Sequence, residues 1–128
     1  MPKPAPSVVA LVLLLACDGR PPLDGLAYPG ARVLVDREVT GRSMAFHWRC
    51  YATSDSLERV VAHYDANARL ARAAFRLAPG EVGFAARSDP ELHVAVFPAQ
   101  NLPQHRQCEG PLAGEVTVIQ ATQGHPTP

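Results

Sequence analysis

Three cysteines, Cys17, Cys50 and Cys108, carry the most reactive side chains of this 128-residue chain. A thiol can be acylated, attack a substrate, bind a metal or form a disulfide. None of the three belongs to a Cys-x-x-Cys pair, and none lies in a recognisable nucleophile motif. The sequence therefore does not indicate a dithiol redox site, a zinc site or a cysteine protease, and the position of each cysteine along the chain becomes the informative feature.

Cys17 closes an N-terminal segment that has the features of an export signal. Lys3 supplies a positive charge, and an apolar run over residues 8–16 follows it. The run is too short to cross a bilayer as a helix, which takes about 20 residues. Leu14-Leu15-Ala16-Cys17 resembles the lipobox of bacterial lipoproteins. The resemblance implies a signal peptide over residues 1–16 and a diacylglycerol anchor on Cys17, with the domain on the periplasmic or extracytoplasmic side of the cell envelope. The alternative is a conventional secretory leader that is cleaved nearby.

Assigning Cys17 to lipid leaves Cys50 and Cys108 as a pair. Disulfides persist in exported proteins, so we predict that these two cysteines are bridged. The bridge would close a loop of about 59 residues and stabilise a domain too small to have a large core. The alternative is a pair of free thiols buried in a cytosolic protein.

The five histidines do not form a recognisable metal site, because no two of them lie at i, i+2 on a strand or at i, i+4 on a helix. We expect His105 and His125, in a loop and a tail, to be solvated. The motifs Gly-x-Ser-x-Gly and His-Glu-x-x-His are missing, as is a phosphate-binding glycine loop. We therefore expect no metal, no other cofactor and no catalytic residue, with a hydrolase built from scattered residues as an alternative.

One set of polar and aromatic residues could form a binding surface. His47, Arg49 and Tyr51 alternate along one predicted strand, and His93 lies on a later one. If the helix covers the opposite side of the sheet, these four side chains form an exposed aromatic and cationic patch, a composition enriched at binding surfaces. The alternative is a solvated sheet face with ordinary cross-strand pairs.

The pattern of apolar residues predicts an α+β domain in the order ββαββββ. Alternating residues indicate an antiparallel hairpin over residues 32–53, and its core face is predicted to carry Met44, Phe46, Trp48, Cys50 and Ala52. A helix follows, with Asp55 as its N-cap and Glu58 completing a capping box. One helix should thus cover an antiparallel sheet of five to six strands. The later strands are predicted at 75–77, 81–87, 92–97 and 115–122, with a loop over 98–114 that needs pinning.

These elements indicate one domain with flexible ends. Residues 17–27, with the lipidated cysteine, are rich in Gly, Pro and Asp and predict a tether; residues 28–123 form the domain, and residues 124–128 a disordered tail. The turn at Tyr28-Pro29-Gly30-Ala31 and the helix start at residues 53–56 are similar to those of small uncharacterised bacterial lipoproteins. That resemblance implies no activity.

Charge excludes one broad class of partner. Basic and acidic residues number 12 each, and loss of Lys3, the sole lysine, would leave one excess acidic residue. A nucleic-acid-binding domain needs a basic surface, so we expect no nucleic acid. The sequence favours a non-catalytic envelope lipoprotein whose partners are the bilayer, through Cys17, and another envelope protein. The alternative from another class is a small-ligand binding or sensing module with a cavity between helix and sheet.

Overall fold

A computed structural model describes residues 22–73 and 77–127, and within them six antiparallel strands form one sheet beside one α-helix. The order of the strands across the sheet is Arg32–Thr40, Met44–Thr53, Thr117–Pro126, Asp89–Pro98, Val82–Ala86 and Leu70–Arg72. The predicted α+β class is confirmed. The predicted signal peptide and the lipid anchor on Cys17 lie outside the described residues. The elements are a 3₁₀ helix at Pro22–Leu26, β1 Arg32–Thr40, β2 Met44–Thr53, α1 Leu57–Asp65, β3 Leu70–Arg72, β4 Val82–Ala86, β5 Asp89–Pro98, 3₁₀ helices at Ala99–Gln104 and Arg106–Cys108, and β6 Thr117–Pro126.

The β1–β2 hairpin forms where the alternation predicts it, and the last strand is longer than predicted. β6 pairs with β2 along its whole length, from Thr53 opposite Thr117 to Met44 opposite Pro126. The prediction of a disordered tail is therefore wrong for residues 124–126. The ten residues of β2 offer backbone partners to the whole of β6, and this pairing outweighs the low strand propensity of glycine and proline.

The region between α1 and β4 also differs from the prediction. The described strand here is Leu70–Arg72, which the sequence did not predict. The predicted strand at 75–77 falls largely outside the described residues. Ser56, rather than Asp55, is the N-cap of α1, because its side-chain oxygen accepts the N–H of Arg59. Asp55 instead accepts the hydroxyl hydrogen of Tyr28 at 2.6 Å, which joins the helix start to the preceding turn.

Both faces of the sheet are covered, and α1 lies on the face opposite to the one predicted. Val60 and Tyr64 of α1 pack against Tyr51, on the side of β2 that carries the odd-numbered residues. Trp48 and Cys50, on the even-numbered side, pack against the loop over residues 99–112. The prediction failed because β2 lies inside the sheet, where both sides of a strand are buried and neither alternating set identifies the helix.

The segment predicted as a flexible tether is packed onto the domain from Leu23 onward. Leu23 and Leu26, one turn apart in the 3₁₀ helix, are 0% and 3% exposed in the core beneath α1. Residues three apart in a 3₁₀ helix point to the same side, so two leucines suffice to give the segment an apolar face. No helix in the described parts of the chain is long and apolar enough to cross a membrane.

Tyr64→Phe is expected to lower the free energy of unfolding by about 1 kcal/mol. The Tyr64 hydroxyl donates to the Leu26 carbonyl at 2.6 Å and is itself buried, so its loss leaves that carbonyl without this donor. Urea unfolding followed by circular dichroism measures the change. The phenyl ring keeps the packing of the tyrosine, so an unchanged midpoint would mean that this hydrogen bond does not hold the 3₁₀ helix.

Candidate binding surface

The structure divides the four residues predicted to form a polar binding face. Arg49 lies opposite Ala121 and Tyr51 opposite Ile119, so His47, Arg49 and Tyr51 share the face covered by α1. His93 lies opposite Thr122, whose other neighbour is Trp48, and therefore belongs to the other face. Tyr51 is only 3% exposed. The expected aromatic and cationic patch is not formed, because α1 and the N-terminal 3₁₀ helix cover the side that was expected to be open.

His47 and Arg49 instead belong to a network of ion pairs. The Arg49 guanidinium contacts Asp24 at 2.7 Å and Asp36 at 3.2 Å, and Nε2 of His47 lies 2.6 Å from Asp36. The hydrogen bond to Asp24 raises the pKa of Arg49 most, and the hydrogen bond to Tyr51 raises it further. The hydrogen bond from His47, with the Arg49 charge, lowers the pKa of Asp36 against the effect of burial. These charges satisfy one another, so the network fastens the N-terminal 3₁₀ helix and β1 to β2.

On the opposite face, a disulfide pins the loop over residues 99–112, which we call the stapled loop. Cys50 and Cys108 are bonded, with sulfur atoms 2.05 Å and Cα atoms 5.6 Å apart, and the predicted bridge is confirmed. Both cysteines are fully buried. Next to the bridge, the Trp48 indole N–H donates to the Gln107 carbonyl at 2.9 Å, and the Gln120 amide donates to the Gln107 side chain at 2.6 Å.

A buried carboxylate holds the other end of the stapled loop. The Glu81 side chain is 1% exposed and accepts hydrogen bonds from Asn101 at 2.8 Å and from the Ala78 N–H at 3.2 Å. It also lies 2.9 Å from Nε2 of His105. The His105 ring stacks on the Phe97 ring, with 3.7 Å between the two ring centroids. The prediction that His105 is solvated is therefore wrong. The sequence did not single out Glu81, because its partners come from a separate segment of the chain.

The Glu81 carboxylate makes stability depend on pH. Burial raises the pKa of Glu81, but the hydrogen bonds from His105, Asn101 and Ala78 outweigh this and hold it below its ordinary value. A carboxylate with a lowered pKa stabilises the fold above its unfolded-state pKa, about 4.3, and loses that contribution as pH falls through the folded value. We expect unfolding of the native protein to become easier below about pH 4.3 for this reason.

Glu81→Gln tests this pH dependence. The variant has no carboxyl at this position, so its free energy of unfolding should change less between pH 7 and pH 3 than that of the native protein. Asp36, Asp65 and Glu115 also have lowered pKa values, but they titrate in both proteins and cancel in the difference. If the free energy of unfolding, measured with urea, falls equally with pH in the native protein and in Glu81→Gln, Glu81 does not cause the pH dependence.

Two neighbouring grooves are built on the stapled loop. The apolar groove has a volume of about 430 Å³. The arginine groove has a volume of about 280 Å³ and is lined by Arg37 of β1, which lies opposite Trp48 of β2, and by Arg106 of the loop. Glu109 lines both grooves, which makes them one continuous candidate surface. The apolar groove is lined by Ala99, Gln100, Leu102, Pro103, Glu109, Gly110 and Leu112, and the arginine groove by Val35, Arg37, Trp48, Arg106, Gln107 and Glu109.

A third cavity lies beside the N-terminal 3₁₀ helix, on the α1 face. It has a volume of about 160 Å³, with Leu26, Leu70 and Leu92 among its lining residues and Arg69 and Asp89 among the polar ones. Binding sites for drug-sized ligands usually have volumes of about 300–1,000 Å³. The space beside the helix therefore fits only a few non-hydrogen atoms.

Within residues 22–73 and 77–127, no group of three or more His, Cys, Asp or Glu residues is arranged to hold a metal ion. Comparisons of the chain with protein-family models, with curated proteins and with solved structures found no match.

Proposed function

We propose that this chain is a bacterial cell-envelope lipoprotein, anchored through acylated Cys17, whose domain is a non-catalytic binding module for another envelope component. The stapled loop is its binding surface. The observation that carries the proposal is that one loop forms both an apolar and a cationic groove while being fastened by a disulfide, a buried carboxylate and a tryptophan hydrogen bond. Binding residues on loops held by a rigid scaffold are a common arrangement in proteins.

Rigidity supports a binding role because it lowers the entropic cost of association. A free loop loses about 0.5–1.5 kcal/mol for each flexible side chain that becomes ordered on binding. The stapled loop is already fixed at Cys108, at Gln107 and at His105, all three by contacts to other elements. A partner would thus meet grooves that are already formed.

The position of the anchor supports the same proposal. Four residues separate Cys17 from Pro22, where the 3₁₀ helix begins, and the five steps between them can span at most about 18 Å. That helix packs on the α1 face, whereas the stapled loop covers the other face. A lipid on Cys17 would hold the α1 side near the bilayer and leave the stapled loop facing other envelope components.

The small-ligand alternative has weaker support. It calls for a cavity between helix and sheet, and the cavity described on that face lies beside the N-terminal 3₁₀ helix and has a volume of only about 160 Å³. The rings of Tyr51, Tyr64 and Phe84 are buried in the core between α1 and the sheet. The grooves on the opposite face are larger, so they carry the proposed function.

The anchor is tested by the intact mass of the protein expressed with its own N-terminus in a bacterium and extracted in detergent. We expect a chain that begins at Cys17 and carries acyl groups, with two further thiols alkylated only after reduction. Cys17→Ala should remain unacylated. An unprocessed native chain with freely alkylated thiols would contradict both the anchor and the exported location.

The binding surface is tested by crosslinking in whole cells followed by purification of the protein. Leu112→Gln places an amide in the apolar groove and should reduce the yield of crosslinked partner severalfold. Val116→Gln is the matched control, because Val116 is an exposed aliphatic residue outside both grooves and should leave the yield unchanged. Equal yields from native protein and Leu112→Gln would place the partner elsewhere.

A further inference from the structure

We propose that the arginine groove binds the carboxylate of an acidic peptide that lies in extended form along the free edge of β1. This inference uses the surface assigned in the proposed function and specifies the chemistry of its partner. It rests on three features of the structure: two arginines that form no ion pair within the described residues, a fixed aromatic side chain in the same groove, and an edge strand beside it.

The charges of the groove favour an anion. Arg32, Arg49, Arg59 and Arg72 each pair with a carboxylate. Arg37 and Arg106 line the arginine groove, are exposed, and form no ion pair with any residue in the described ranges. Glu109 is the one carboxylate that lines this groove, so two positive charges face one negative charge.

The floor of the groove is suited to a carboxylate on a short apolar stem. Trp48 is largely buried, and its indole N–H is held by the Gln107 carbonyl, so the ring has a fixed orientation. Val35 adds an aliphatic contact on the same side of the sheet. A guanidinium can bind a carboxylate through two parallel hydrogen bonds, and two guanidiniums on either side can hold both oxygens.

β1 provides the backbone partner that an extended peptide needs. It is the outermost strand of the sheet and pairs only with β2 within the described residues. Arg37 lies in the regular part of β1, beyond the bulge between Val33 and Val35. A peptide added to this edge would point every second side chain toward the groove. The groove has a volume of about 280 Å³, just below the usual range for drug-sized ligands, so it accommodates one side chain of an extended peptide better than a whole small molecule.

A second copy of this chain is a poorer occupant than an acidic peptide. Antiparallel pairing of two β1 strands centred on Asp36 places Asp36 opposite Asp36 of the copy. Centring on Arg37 places Arg37 opposite Arg37 and Asp36 opposite Glu38. Like charges directly opposite each other destabilise a strand pair, so these two registers disfavour association of β1 with itself.

Selection from a phage-displayed library of random heptapeptides tests the proposal, with the full-length protein in lipid nanodiscs as bait. We expect the recovered peptides to be enriched in Asp or Glu flanked at alternate positions by apolar residues. Changing that acidic residue to its amide should weaken binding at least about tenfold, because a charge-assisted hydrogen bond is lost. Trp48 is the sole tryptophan of the chain and lines the groove, so its fluorescence reports binding directly.

Two variants provide the matched comparison. Arg37→Gln combined with Arg106→Gln should weaken binding of the recovered peptide at least about tenfold. Arg42→Gln changes an exposed arginine outside the groove and should leave it unchanged. Peptide binding should also slow hydrogen exchange of the β1 amides.

Other outcomes would overturn the inference. Peptides without acidic residues, unaffected by the arginine variants but weakened by Leu112→Gln, would refute the acidic partner and leave the proposed binding surface intact. The acidic partner would also be refuted by any of three other results. These are failure to enrich any peptide, arginine-dependent binding only to vesicles that contain phosphatidylglycerol, and arginine-dependent dimerisation. The crosslinking yield of Leu112→Gln against Val116→Gln then decides the proposed function separately.

Discussion

Reduction of the Cys50–Cys108 disulfide is expected to lower the free energy of unfolding by about 4 kcal/mol. The bridge joins residues that are 58 apart in sequence, and it therefore removes many conformations from the unfolded chain. It also connects the stapled loop to β2, inside the sheet. Because small domains are stable by only about 5–15 kcal/mol, the loss would take a large share of the total.

Urea unfolding with and without a reductant measures this effect. The variant Cys50→Ala with Cys108→Ala is the control, and its unfolding curve should not respond to reductant. It should also resemble the reduced native protein, apart from the packing lost with the two sulfur atoms. Equal stability of the oxidised and reduced native protein would show that other contacts hold the stapled loop unaided.

Glu81→Ala is expected to lower the free energy of unfolding by about 3 kcal/mol. The substitution leaves Asn101, His105 and the Ala78 N–H without their shared acceptor, at a position where the native carboxylate side chain is only 1% exposed. Breaking a buried polar cluster by removing one partner costs more than the cluster contributes, because the remaining groups stay desolvated. Residues 99–105 should then loosen before the rest of the domain unfolds.

Thermal unfolding measures the loss of stability, and hydrogen exchange measures the loosening of residues 99–105. Glu81→Gln keeps one acceptor oxygen and should be less damaging than Glu81→Ala. Glu109→Ala, which removes an exposed carboxylate from the same loop, should change stability by less than about 0.5 kcal/mol. Equal stability of Glu81→Ala and Glu109→Ala would mean that the Glu81 cluster does not hold the loop.

The elements that are defined by a local pattern of apolar residues or by the cysteines were predictable from the sequence. The β1–β2 hairpin follows from its alternation, α1 from its apolar spacing, and the disulfide from two cysteines left after Cys17. The N-terminal 3₁₀ helix was not predictable, because the burial of its two leucines depends on Tyr64, which lies far along the chain. A segment rich in Gly, Pro and Asp is typical of a tether until a distant partner covers it.

The binding surface was only partly predictable. A long loop with Cys108 and several prolines indicates that something must pin it, and this was confirmed. The face of β2 that meets the loop could not be deduced, because both alternating sets of this strand contain large side chains. The arginine groove joins β1 to the stapled loop, and no local spacing relates Arg37 to Arg106.

Site-specific photocrosslinking in intact cells identifies which face of the domain meets the partner. A benzoylphenylalanine would replace Gln100, which is exposed and lines the apolar groove, or Ala62, which is exposed on α1. Our account predicts a discrete protein adduct from position 100 that Leu112→Gln removes, and no such adduct from position 62. A protein adduct from position 62 with none from position 100 would show that the α1 side, rather than the stapled loop, meets the partner.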